Sequence, residues 1–287
     1  MFNLSKKWLL SLGLATLLFN LSFAQDEKKD SSYSFTVIKE LKHTPVKNQY
    51  RSGTCWDFSA ISFFESELLR MGKGEYDLSE MFCSRYAYEK KAELYVRMQG
   101  KNNFGAGGEF HDVVYVMRNY GIVPEEVYTG LVIGEKNHVH GEMDAVLKGI
   151  VDAIIKNPNK QLTPVWQKAY ASALDAYLGP VPEKFNYKGK TYTPKSFFEE
   201  LNLNLDDYVE LTSFSHHPFY SKFILEVSDN WLWSEVYNVP LNEFEQILDY
   251  AIDNGYTIAW GSDVSEKGFA WKKGVAVVPE TDVAELS

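Results

Sequence analysis

Hydrophobic positions along this chain change their spacing several times, and the changes mark its elements. Residues 8–23 are mostly apolar, with Ser11, Gly13, Asn20 and Ser22 among the interruptions and Lys6 and Lys7 just before them. Ser22 and Ala24 then supply the small residues expected ahead of a cut before Gln25, so 1–24 is predicted to be a secretory signal peptide. The run is short for a membrane span, and the polar stretch 25–30 follows at once. Residues 25–32 read as a polar leader. Farther on, Phe58, Ile61, Phe64, Leu68 and Leu69 recur at helical spacing until Gly72 and Gly74. Ser79 is placed to cap a second helix through Met81, Phe82, Tyr86 and Tyr88. Phe110, Val113, Val114 and Met117 form a third stripe that Gly121 ends.

The same spacing continues past Leu131. Met143, Val146, Ile150 and Ile154 mark one helix, and Thr163-Pro164 opens another along Trp166, Tyr170, Leu174 and Leu178. Tyr187-Lys188-Gly189-Lys190 reads as a hairpin turn, and Thr193-Pro194 opens a helix through Phe197, Phe198 and Leu201. A last helix runs from Pro240-Leu241 past Leu248 and Ile252, is capped by Asn254-Gly255, and leads into a predicted strand at 256–260.

The length, 287 residues, suffices for a large core or two modest domains, and 18 Phe, 18 Tyr and 7 Trp argue against wholesale disorder. A net charge of −10 without a basic stripe disfavours nucleic acid as a partner, and none is expected. Only two cysteines occur, Cys55 and Cys83. In an exported chain such a pair suggests a disulfide. The surroundings of Cys55 argue instead for a reactive thiol, with Cys83 a buried free one.

Polar, glycine-bearing loop sequence precedes Cys55 and a largely buried helix follows it, so the thiol sits at the helix N-terminus. Unpaired amides and the positive end of the helix dipole there favour the thiolate, which is the nucleophile. Attack on an amide carbonyl creates an oxyanion that needs donors already in place. The Cys55 backbone amide supplies one, and Gln49, folding back over the loop, supplies its side-chain amide as the second. Gly53 allows the tight turn.

The segment Gln49…Ser52-Gly53-Thr54-Cys55-Trp56-Asp57-Phe58-Ser59-Ala60 resembles the nucleophile segment of the papain-like cysteine peptidases. The matches are the Gln-to-Cys spacing, Gly two before the Cys, and Trp directly after it. Ser52 and Thr54 depart from the usual Cys-Gly-Ser-Cys-Trp, which points to the bleomycin hydrolase/aminopeptidase C branch. A second segment, Gly107-Gly108 followed by Tyr120-Gly121-Ile122-Val123-Pro124-Glu125, resembles the same enzymes. There the matching glycines pair with extended substrate through main-chain hydrogen bonds.

The resemblance implies an α+β, papain-like cysteine peptidase fold over 33–287. It implies a helical left domain, a helical insertion at 131–214, and a β-barrel right domain largely absent from this chain. It implies Cys55 and Gln49 as catalytic residues, Gly107 and Gly108 as substrate-binding ones, and a peptide as substrate. No cofactor or metal, and no membrane after signal cleavage, is expected. A homo-oligomer, hexameric in related enzymes, and a periplasmic or extracellular location complete the expectation. The family's catalytic His, followed by an Asn-Ser-Trp, has no counterpart among His43, His111, His138, His140, His216 and His217. The chain is therefore read as the N-terminal portion of a longer peptidase, inactive alone. The alternative is an inactive module that keeps the cleft as a peptide-binding groove. His138-Val139-His140 offers too few ligands for a structural metal site, and His216-His217-Pro218 reads as a loop.

Overall fold

The computed structural model describes residues 35–277 apart from Lys267, so the signal peptide and polar leader expected over 1–24 and 25–32 lie outside the described residues. Two units are distinguished. Residues 38–261 carry the helices, whereas 35–37 and 262–277 belong to a second unit.

In the larger unit, α1 (Cys55–Arg70) buries Trp56, Ala60, Ile61, Phe64 and Leu68 along one face. It packs on α2 (Glu80–Arg97) and α3 (Phe110–Tyr120), and α2 also carries α4 (Gly141–Ile155) and α5 (Val165–Leu178). Each start has a local cause. The Ser79 hydroxyl accepts from the Phe82 amide at 3.0 Å and caps α2. Asp112 accepts from the Glu109 amide at 3.0 Å at the mouth of α3, and Gly121, at φ +85°, takes the chain out of it.

Beyond α5, the predicted hairpin forms as β1 (Phe185–Tyr187) against β2 (Lys190–Tyr192). Thr193 caps α6 (Pro194–Leu201), which packs on α3. Three strands follow that hydrophobic spacing did not disclose. The middle strand β5 (Glu235–Asn238) pairs antiparallel with β4 (Ser221–Ile224) and parallel with β3 (Leu211–Thr212). Next comes α7 (Leu241–Asp253). The strand expected at 256–260 is not formed: no ladder joins this stretch to another strand among the described residues. β-propensity yields a strand only where a partner accepts its main-chain bonds.

In the smaller unit, β6 (Phe269–Ala270) and β7 (Val275–Ala276) form an antiparallel pair. Seven α-helices and a few short strands, with no barrel among the described residues, make this an α+β chain in which the helices dominate. No helix among the described residues is long and apolar enough to cross a membrane.

Candidate active site

Cys55 is the first residue of α1, and it is exposed, whereas its neighbours Thr54 and Trp56 are buried. The helix register therefore places the thiol at the solvent edge while its flanks anchor the turn. In that first turn the Asp57 amide donates to the Thr54 carbonyl at 3.0 Å, while the Cys55 and Trp56 amides take no main-chain partner among the described residues. Main-chain bonds close the preceding loop. The Ser52 amide donates to the Gln49 carbonyl at 3.2 Å, the Arg51 amide to His138 O at 2.9 Å, and the His140 amide to Arg51 O at 3.2 Å. The two residues that depart from the family pattern hold each other, with Ser52 Oγ 2.6 Å from Thr54 Oγ1, both buried.

The two segments singled out in the sequence meet in space. Trp56 Nε1 donates to the Ala106 carbonyl at 2.9 Å. Gly53, at φ +72°, packs so closely that a Cβ there would lie 2.7 Å from Ala106 Cβ. A Cβ on Gly108 would lie 2.5 Å from Asp112 Oδ2 and 2.8 Å from the Trp56 ring, and one on Gly107 would collide with the Asp229 carboxylate. Gly108 is thus demanded by close approach, whereas at Gly107 the Asp229 side chain would have to move aside. Gln49 remains in the same loop, and its side-chain Oε1 is buried without a hydrogen-bond partner. A half-turn about its last torsion exchanges that oxygen for the NH2.

A buried polar frame underlies the glycine loop. Lys91 of α2, 2% exposed, donates from Nζ to Gly105 O at 3.0 Å and to Gly107 O. The rings of Trp56, Tyr88 and Trp231 surround the ammonium at 5.5, 5.5 and 5.6 Å. Burial lowers its pKa to about 8, against the pull of Asp112 and Asp229. Asp112 accepts from Trp231 Nε1 at 2.5 Å, and burial raises its pKa to about 6 despite His111 and Lys91. With the Gly107 carbonyl turned toward Lys91, the Gly108 main-chain groups take no hydrogen bond within the described chain. Sequence reading missed Lys91, Asp112 and Trp231. One signal was available: Lys91 interrupts the apolar stripe Ala87, Tyr88, Ala92, Tyr95 on α2.

Asp57, two residues after the thiol, is fully buried and accepts from Ser84 Oγ at 2.6 Å, and burial raises its pKa well above the usual carboxylate range. Cys83 is a buried free thiol whose pKa burial pushes up. His138 and His140 are buried behind the loop, where desolvation lowers both pKa values, that of His140 to about 4. His111 Nδ1 lies 2.8 Å from Glu210 Oε2; burial opposes its charge, but Glu210 carries its pKa upward. His216 and His217 both face Glu226. A cavity of about 650 Å³ sits at the other end of α1, between Phe63, Arg70 and Tyr208. It is separated from Cys55 by most of the helix and takes no part in this site.

No family model matches the chain. It is 23% identical over 282 residues to aminopeptidase C of Streptococcus thermophilus, covering 83% of this chain and 62% of that protein. With aminopeptidase C of Lactobacillus delbrueckii subsp. lactis the figures are 24% over 294 residues, 88% of this chain and 65% of that one. The chain thus spans less than two thirds of these relatives' length. Its fold matches the crystal structure of PepW from Lactobacillus rhamnosis with a TM-score of 0.62 at 17% identity, covering 87% of this chain and 66% of the other. By sequence over most of its length, the chain is similar to the aminopeptidases C, the branch that the Cys55 segment resembles.

Proposed function

We propose that this chain carries the nucleophile half of a cysteine peptidase of the aminopeptidase C type, with Cys55 as the attacking thiol. The observation that carries the reading is the exposed Cys55 at the start of α1, whose loop packs directly on the Gly107-Gly108 segment. The thiolate sulfur bonds to the carbonyl carbon, and the C=O electron pair moves onto oxygen. The Cys55 amide and the Gln49 side-chain amide meet that oxyanion. An extended peptide lies along Gly108, whose main-chain groups are uncommitted. Collapse of the adduct breaks the C–N bond and requires a proton for the departing amine. An imidazole is the usual carrier of that proton. His111, His216 and His217 are engaged by glutamates, His138 and His140 are buried, and His43 Nδ1 meets the Thr44 carbonyl at 2.7 Å, so none is assigned that role here. Residues beyond this chain's span of its relatives supply it in this reading. Export through the signal peptide at 1–24 belongs to the same proposal.

A peptidyl epoxide tests both the nucleophile and the cleft. Modification should fall on Cys55 and run roughly tenfold or more faster than with the same epoxide lacking the peptide, because the cleft orients the reagent. Equal rates would remove the peptide-binding part of the proposal, and modification elsewhere would remove Cys55.

A further inference from the structure

We propose that His216, His217 and Glu226 form a binding site for a divalent transition-metal ion of the zinc or copper class. One ligand atom from each lies within 4.8 Å of the other two. His216 Nε2 is 2.6 Å and His217 Nε2 3.1 Å from the same carboxylate oxygen, Glu226 Oε2. Three ligands set around a tetrahedral ion at about 2.0–2.1 Å stand roughly 3.3 Å apart, so the two His–Glu226 separations need to open by well under about 1 Å to admit one. Glu226 and His216 are exposed enough to make that adjustment by rotamer changes alone. Two imidazoles with one carboxylate suit a borderline ion, whereas Ca²⁺ and Mg²⁺ require oxygen. Water can fill the remaining positions, because the site faces solvent.

The donors are held by a frame with no other evident task. Asn238 of β5 is fully buried, and its side chain holds the histidine loop at four points. Its Oδ1 accepts from the Phe214 amide at 2.8 Å. Its Nδ2 donates to the carbonyls of Phe214, His217 and Pro218 at 2.9, 3.0 and 3.3 Å. The His217 ring stacks on Phe223 of β4 at 4.0 Å and 19°. Glu226 leaves the end of that same strand, where the Leu225 amide donates to Ser234 O at 3.2 Å and Leu225 O accepts from Asn230 Nδ2 at 2.9 Å. Both arms therefore hang on one small sheet. A rigid support of this kind lowers the ordering cost of binding. The ion would bridge the loop at 214–218 to the segment following β4. The site uses neither Cys55 nor the glycine loop, so it stands or falls independently of the peptidase reading.

The test uses the full chain without a polyhistidine tag and with Cys55→Ser, so that the exposed thiol cannot bind metal. Co²⁺ is titrated and its visible d–d absorption followed, then Zn²⁺ is added as competitor. The expected result is one Co²⁺ per chain, displaced by Zn²⁺. Glu226→Gln and His216→Ala, both at exposed positions, should each weaken binding roughly tenfold or more. Far-UV circular dichroism confirms that these variants are folded. Unchanged affinity in the His216→Ala, Glu226→Gln double variant, or no Co²⁺ spectrum at millimolar metal, overturns the proposal.

Discussion

Lys91→Met replaces the buried ammonium under the glycine loop with an apolar side chain of similar length, which keeps the contacts to Trp56, Tyr88 and Trp231. Burial holds the Lys91 pKa at about 8, below its ordinary 10.5. Between those values the unfolded chain binds a proton that the folded chain has released, so stability rises with pH there. Below pH 8 both states are protonated, and the folded state bears the full cost of the buried charge. The gain from neutral pH to about pH 10 is roughly 2 to 3 kcal/mol. Deprotonation sacrifices little, because a neutral amine keeps two N–H groups for the two carbonyls it serves. Urea unfolding of both proteins across this range isolates the effect, since groups remote from Lys91 titrate alike in both and cancel in the difference, and Asp112, with its pKa at about 6, titrates mostly below it. The wild-type protein should gain about 2 to 3 kcal/mol over Lys91→Met as pH rises. A difference that stays flat, or that falls, would refute the assignment of a depressed, fully buried lysine.

Three further outcomes follow from the same geometry. Gly108→Ala should destabilise the fold by about 1 to 3 kcal/mol through overpacking against Trp56 and Asp112, whereas Gly105→Ala, with nothing near its Cβ, should cost much less; urea midpoints compare them. Gln49→Ala should slow acyl transfer to Cys55 by roughly a hundredfold, the loss expected for one oxyanion donor, while alkylation by iodoacetamide changes little. Cys83, buried and with its thiol pushed up, should resist iodoacetamide in the native chain and react only on unfolding, as read by peptide mapping.

Local chemistry was legible in the sequence, and long-range chemistry was not. Ser79 and Thr193 cap their helices from within a few residues, and Gly121 ends α3 by its own φ, so sequence spacing was enough to place them. Cys55 at a helix start was legible for the same reason. The meeting of its loop with Ala106 and Gly108 came only through resemblance, because no local rule links positions some fifty residues apart. Lys91, Asp112 and Trp231 assemble from α2, α3 and the segment before β5, and each alone looks ordinary. The parallel pairing of β3 with β5 involves two residues of each strand, too short a run to leave a period. The stretch 256–260 has strand-like composition and still forms no ladder among the described residues, because a strand needs a neighbour that accepts its main-chain bonds.

Acyl transfer to Cys55 tests the central claim most directly. A nitrophenyl ester of a short peptide needs no protonated leaving group: the thiolate displaces nitrophenolate and keeps the acyl group as a thioester. Intact mass should show one acyl group per chain, peptide mapping should place it on Cys55, and Cys55→Ala should show none. Acylation that persists in Cys55→Ala, or an unmodified Cys55 in the native chain, would contradict the account.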